Sequence, residues 1–321
     1  MHFIDDKYLK GAKNNKTRPM HDLRAMYEKT LEITKEMFAD DTDENGNFSF
    51  YPRKPKMSDL QVIALAVFSE SACINSENLL FSKLNTDFKD RFPELIDRTR
   101  FNRRRRMLRP YFLEMTKRLS MTMGVDSQID IVDSMPCPIV KNSREKSFRI
   151  CKEDPENAPR KGFSAVDQRY YIGYKLHLLT NEHGVFQDMQ ITPANVHDIN
   201  FLKELQPEEY CRGKTLLGDR GYISEQVQVD LFTQYEINLE VPYRTNQKSK
   251  VPVDKIKGRK RRRIEVQFAQ LCDQFRLKLN YAKSYAGFLC RAISKLAAIA
   301  VLQRVNIEKG RPLNHIKHAW S

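Results

Sequence analysis

The chain has 321 residues, enough for about two domains of roughly 150 residues each and for a sizeable buried core. Its 55 Lys and Arg against 41 Asp and Glu give a net charge of +14, which favours polyanionic partners and disfavours basic ones. The six cysteines never come closer than fourteen residues, so neither a CxxC zinc pair nor a dense disulfide framework is expected.

The start, Met1 to Asp6, carries acids where a signal peptide needs a basic and then an apolar run. The most apolar stretch, Ala286 to Leu302, is interrupted by Arg291 and Lys295, so a buried helix is expected there and no membrane partner. Together these predict a soluble protein of the cytoplasm.

Residues 1–125 read as a helical domain. Leu23, Tyr27, Leu31 and Phe38 recur at helical spacing, and Ser58 to Gln61 has the form of a capping box ahead of Val62, Ile63, Leu65 and Phe68. A third helix is expected to carry Arg100, Arg103, Arg104, Arg105 and Arg106 in an almost unbroken guanidinium row. Pro110 then kinks it or opens the next helix.

From Gln128 the period changes. Ile129 to Asp133 reads as a strand ended by Pro136 and Pro138, and Lys141 to Arg169 as a mobile polar loop. Tyr171 to Leu179 and Val185 to Thr192 form two strands joined by a hairpin at Asn181 to Gly184. Asn195 to Asp198 caps a helix through Phe201 and Leu205, Thr215 to Asp219 is a fourth strand, Ser224 caps a helix to Gln234, and Ile237 to Val241 is a fifth strand. Two helices follow, one with Ile264, Phe268, Leu271 and Phe275, the next with Tyr285, Leu289, Leu296 and Ile299. Three antiparallel strands followed by alternating helices and strands make an α/β mixed sheet of the ribonuclease-H type over residues 126–306, with 307–321 as a tail.

That order sets the end of the first strand beside the end of the fourth, where ligand sites of open sheets gather, and so brings Asp133 towards Asp219. Glu265 lies about 100° around its helix from the apolar stripe and borders the packed face. Asp130 competes with Asp133, though an odd offset of three turns it to the other sheet face; Asp273 and Glu240 are more distant alternatives to Glu265. Three carboxylates at one place repel unless cations neutralise them, and oxygen-only ligation suits two Mg²⁺ or Mn²⁺ working on a phosphodiester.

Four segments in order, Ile131 to Pro136, Gly173 to His177, Leu217 to Tyr222 and Arg262 to Phe268, resemble the successive motifs of DDE insertion-sequence transposases. The group most similar is insertion-sequence group nine-eighty-two, whose members carry a run like Thr99-Arg100-Phe101-Asn102-Arg103-Arg104. The resemblance, over roughly Asp97 to Leu302, implies a ribonuclease-H-like core with Asp133, Asp219 and Glu265 as the metal-binding triad. Related groups place a Tyr, an Arg and a Lys around the glutamate; here Arg261 keeps the Arg spacing, while Gly258 and Cys272 stand at the other two.

Lys175, His177 and Arg220 are candidates to support the triad, with His177 more readily a satisfied core histidine. His197-Asp198 reads as a helix cap, and His315 and His318 as tail residues. The run Lys257, Arg259, Lys260, Arg261, Arg262 and Arg263, directly before Glu265, is expected to bind DNA backbone along with the Arg100 to Arg106 row, without reading bases. No glycine-rich phosphate loop is present, so no nucleotide cofactor is expected. The helical residues 1–125 are expected to be the DNA-binding domain, which reads the element's terminal repeats; the expected partners are duplex DNA, as element ends and target, and a second copy of the chain. The alternatives are a nuclease of the same fold and a DNA-binding regulator without chemistry.

Overall fold

A computed structural model of the chain describes residues 22–86, 89–205, 211–242, 255–279 and 281–321. Met1 to His21, and the start of the basic connection after the last strand, lie outside the described residues.

Five helices come first: α1 (Leu23–Met37), α2 (Asp59–Ser71), α3 (Glu77–Thr86), α4 (Arg98–Met107) and α5 (Arg109–Thr122). Asp22 caps α1, and Ser58 with Gln61 closes a reciprocal capping box on α2. Pro110 lies in the first turn of α5, so it opens a helix and kinks none.

The sheet follows: β1 (Ile129–Val140), β2 (Arg160–Ser164), β3 (Arg169–Asn181) and β4 (Phe186–Pro193), then α6 (Ile199–Glu204), β5 (Thr215–Leu217), α7 (Glu225–Tyr235), β6 (Asn238–Glu240), α8 (Lys255–Asp273) and α9 (Tyr285–Glu308). Its order is β2-β3-β1-β5-β6, with β4 beside β2 along the outer edge of β3. Strands β1 to β4 pair antiparallel, whereas β5 pairs parallel with both β1 and β6. This mixed sheet fits a ribonuclease-H-like domain.

Two expectations need correcting here. The stretch Lys141 to Arg169 is not all loop, because Arg160 to Ser164 forms β2 on β3. Nor does β1 stop at Pro136: it runs on to Val140, with Pro136 opposite Lys175 and Pro138 opposite Gly173. On its other edge β1 pairs with β5 only as far as Ile131. Two prolines two residues apart share an edge, and facing away from β3 their missing N–H groups break no ladder bond.

Alternation along β1 divides the core. Ile131 and Met135 join the larger core with α5, α8 and α9, while Val132 joins a smaller one with α6 and α7. The larger core is continuous with the N-terminal helices through α9, which packs on both α2 and α5. That helix is long and apolar enough to cross a membrane, yet most of its apolar stretch is packed inside the protein. The C-terminal residues fold back, burying Ile316 and Ala319.

Charge is buried where the helices meet. Glu70 of α2 receives Arg105 of α4 at 3.1 Å and Lys295 of α9, with all three side chains 2–3% exposed. Breaking one partner of such a group strands the others in a low-dielectric interior. Glu70→Gln is therefore expected to cost about 3–5 kcal/mol in urea unfolding, against about 0.5 kcal/mol or less for the exposed Arg103→Gln.

Asp130 is also buried, beside Lys214 at 3.8 Å, and burial pushes its carboxyl up to about 6 although Lys214 opposes the rise. A carboxyl raised by folding contributes stability fully below its unfolded value of 3.8 and loses it as pH rises through about 6. Asp130→Asn should therefore gain about 2 kcal/mol on the wild type between pH 4 and pH 8, read from denaturant unfolding at the two pH values.

Candidate active site

Asp133 projects from β1 and Asp219 follows β5 by two residues. Because β1 and β5 run parallel with Ile131 opposite Leu217, the chain brings both aspartates past the same end of the sheet. Asp219 starts a short turn over Arg220 to Tyr222, its Oδ1 accepting the Gly221 N–H at 2.8 Å. Asp133 Oδ1 accepts the Ser134 N–H at 2.8 Å. Burial, and then the neighbouring Asp219, push the Asp133 carboxyl up to about 7, against the pull of the Ser134 N–H and Arg261. Asp219 is raised by burial and by Asp198, against the Gly221 N–H, Arg261 and Lys175. Beneath them Tyr222 is fully buried and its phenol is raised, first by burial and then by Asp198, Asp133 and Asp219.

Glu265 is on α8, its side chain 52% exposed while the preceding Ile264 is fully buried. It meets the aspartates through a cation: Arg261, one turn earlier, lies 3.3 Å from Glu265 and 3.5 Å from Asp133. Among the described residues no three His, Cys, Asp or Glu side chains converge closely enough to hold an ion by themselves. The donor set nevertheless fits a divalent cation. Two largely buried carboxylates are raised, Asp133 by burial and Asp219, and Asp219 by burial and Asp198; a third carboxylate lies one guanidinium away, and all the donors are oxygens.

The basic run opens α8, and half of its cations are paired to acids. Lys257 binds Glu240 at the end of β6 at 2.7 Å, Lys260 binds Glu182 at the β3–β4 turn, and Arg261 bridges Asp133 and Glu265. Gln267 of α8 donates to the Gly184 carbonyl at the same turn. Arg259 and Arg262 are exposed, and Arg263 lies against Gly184. Glu240 is thus a partner of Lys257, and Asp273 lies at the far end of α8.

The arginine row of α4 divides likewise. Arg100, Arg103 and Arg106 are exposed. Arg104 is 12% exposed and bound to Asp59 at 2.6 Å, and Arg105 lies between Glu70 and Glu77. Expected as phosphate contacts, these last two are instead interior ion-pair partners, because a helix 3.6 residues per turn must bury part of any consecutive run. A cleft of about 670 Å³ between α4 and the α8–α9 connection is lined by Arg98, Arg106, Arg276, Lys283 and the exposed Tyr281.

Of the supporting candidates, Lys175 is at the site, its Nζ 2.8 Å from Asp198 and 2.9 Å from the Val196 carbonyl. His177 is fully buried, pairs with Thr192 at 2.9 Å and stacks on Phe201, with burial holding its pKa down to about 4. Arg220 is exposed. Asp198 was expected as a cap, but its side chain makes no capping bond and instead accepts Ser134 Oγ at 3.1 Å and Lys175. The signal for it was a single Asp at a helix start, which looks the same whether the carboxylate turns to the helix or to the sheet.

A family model described as a transposase DDE domain matches residues 127–301, from the strand that carries Asp133 through most of α9. A protein of Neisseria meningitidis serogroup B, described as a transposase for insertion sequence element IS1106, is 39% identical over 57 residues. That match covers 18% of this chain and only 19% of the relative, so the chain spans about a fifth of that relative's length. No solved structure matches. With more than half of its length matched, the chain belongs to the DDE-domain transposase family.

Proposed function

We propose that the chain is the transposase of a bacterial insertion sequence, cutting phosphodiesters at the element ends and joining the freed 3′-hydroxyl to target DNA. The observation that carries this reading is the parallel pairing of β1 with β5, which brings Asp133 and Asp219 past the same end of the sheet, close enough for Asp219 to raise the Asp133 carboxyl. Asp133, Asp219 and Glu265 would hold two Mg²⁺ or Mn²⁺ ions. When bound, these would supply Lewis acidity to both the attacking and the leaving oxygen of an in-line displacement.

The protein's own groups do the rest. Asp133 and Asp219 would hold the ions as carboxylates, with the Ser134 and Gly221 N–H groups fixing one oxygen of each. Arg261 carries positive charge at the site, between Asp133 and Glu265, and would contribute it to a non-bridging phosphate oxygen. Arg100, Arg103 and Arg106 of the helical residues up to 125, the cleft beside α4, and Arg259 and Arg262 of α8 hold backbone phosphates. The helical domain would engage the element's inverted repeats, and two copies would hold two ends together in the bacterial cytoplasm, at the nucleoid.

The purified protein is expected to nick labelled duplex carrying its element end in Mg²⁺ or Mn²⁺, to join it to target, and to do neither in chelator. Asp133→Ala, Asp219→Ala and Glu265→Ala should each lower the rate by at least about 10³-fold with DNA affinity retained. Cleavage without joining would identify a nuclease. Binding without chemistry in any metal would identify a DNA-binding regulator and overturn the reading.

The surface assignment has its own measure. Arg103→Gln with Arg106→Gln should flatten the dependence of log affinity on log salt by about 0.9 per lost phosphate contact, equally on specific and unrelated duplexes. An unchanged slope would remove α4 from the DNA track.

A further inference from the structure

Asp198 stands in the connection between β4 and α6 and belongs to neither the triad nor a helix cap. Its Oδ1 accepts Lys175 Nζ at 2.8 Å and Ser134 Oγ at 3.1 Å. Lys175 comes from β3 and also holds the Val196 carbonyl, so one ammonium ties the connection to the sheet. Ser134 directly follows Asp133 and gives that aspartate its backbone N–H. On the other side Asp198 faces Asp219 across bare backbone: a Cβ built on Gly221 would lie 3.0 Å from Asp198 Oδ2 and 2.9 Å from Asp219 Oδ1. One carboxylate thus touches the neighbour of Asp133 and borders Asp219, and Lys175 offsets the charge that it adds.

We propose that Asp198, held by Lys175, is a positioning residue that sets the separation and orientation of Asp133 and Asp219 and thereby the affinity of that pair for a divalent cation. Through Ser134 it fixes the backbone that points Asp133. Across Gly221 its carboxylate borders Asp219 Oδ1, which the Gly221 N–H holds, and so limits the space in which that aspartate can turn. Groups that orient ligand side chains in this way characteristically change metal affinity by about 10–100-fold when removed. This inference rests on Asp133 and Asp219 being metal ligands.

The test uses the full chain and three readouts: Mn²⁺ affinity of the DNA-free protein by calorimetry, thermal unfolding in chelator, and element-end cleavage across a Mn²⁺ titration. Asp198→Asn, nearly isosteric, is expected to weaken Mn²⁺ binding at least about 10-fold. It should move the metal midpoint of cleavage by the same factor, so that excess Mn²⁺ restores much of the rate. DNA affinity in chelator should not change. Lys175→Met should act in the same direction, and the double variant should be no worse than the poorer single one, since the two act as one unit.

Wild-type Mn²⁺ affinity in Asp198→Asn overturns the inference, whether or not the unfolding temperature falls; a fall alone would mark a structural ion pair. Asp219→Ala separates the two levels. If it binds Mn²⁺ and cuts like the wild type, the acidic site itself is misassigned. If it loses both while Asp198→Asn keeps both, only the role of Asp198 fails.

Discussion

Two carboxylates are pressed together at the edge of this sheet by the pairing of a long strand with a very short one. β5 has three residues and meets β1 over three positions, yet that contact fixes where the chain turns at Gly218 and therefore where Asp219 stands relative to Asp133. Burial and like charge then leave both acids strained in their ionised form. Much around them answers that strain: the Ser134 and Gly221 N–H groups, Arg261 across the mouth, and Lys175 behind.

The cations divide by function in a way that their abundance hides. In both basic runs, α4 and the start of α8, helical geometry sends some side chains to acids of the fold and leaves others facing water. Arg105 is as buried as the core residue Leu231, with Glu70 and Glu77 beside it. Lys257 and Lys260 pin α8 to the end of β6 and to the β3–β4 turn, which is what carries Glu265 to the sheet. The count of 55 Lys and Arg therefore overstates the cations that stand unpaired at the surface, although pairing leaves the net charge of +14 unchanged.

Most of the strands and the helix order were legible from period and punctuation, since alternation in Ile129 to Asp133 and the caps at Ser58 and Ser224 are local signals. So was the convergence of Asp133 and Asp219, which follows from strand order alone. What escaped depends on partners far along the chain. β2 has no pattern of its own and exists because β3 offers a free edge beyond the end of β4. The prolines of β1 read as terminators because nothing local says that the neighbouring strand ends at Leu217. The burial of Arg105 required knowing that Glu70, 35 residues earlier, would face it. Asp198 required knowing which way one side chain turns.

One carbonyl ties these parts mechanically. The oxygen of Gly184, at the tip of the β3–β4 hairpin, accepts an amide from Gln267 of α8 and another, at 2.8 Å, from Gln303 of α9. α8 carries Glu265, and α9 is the post against which α2 and α5 pack. The two helices are thus riveted to a single atom of the sheet. α9 and the helix that carries Glu265 therefore share one acceptor, so a displacement of that turn would disturb the seating of both.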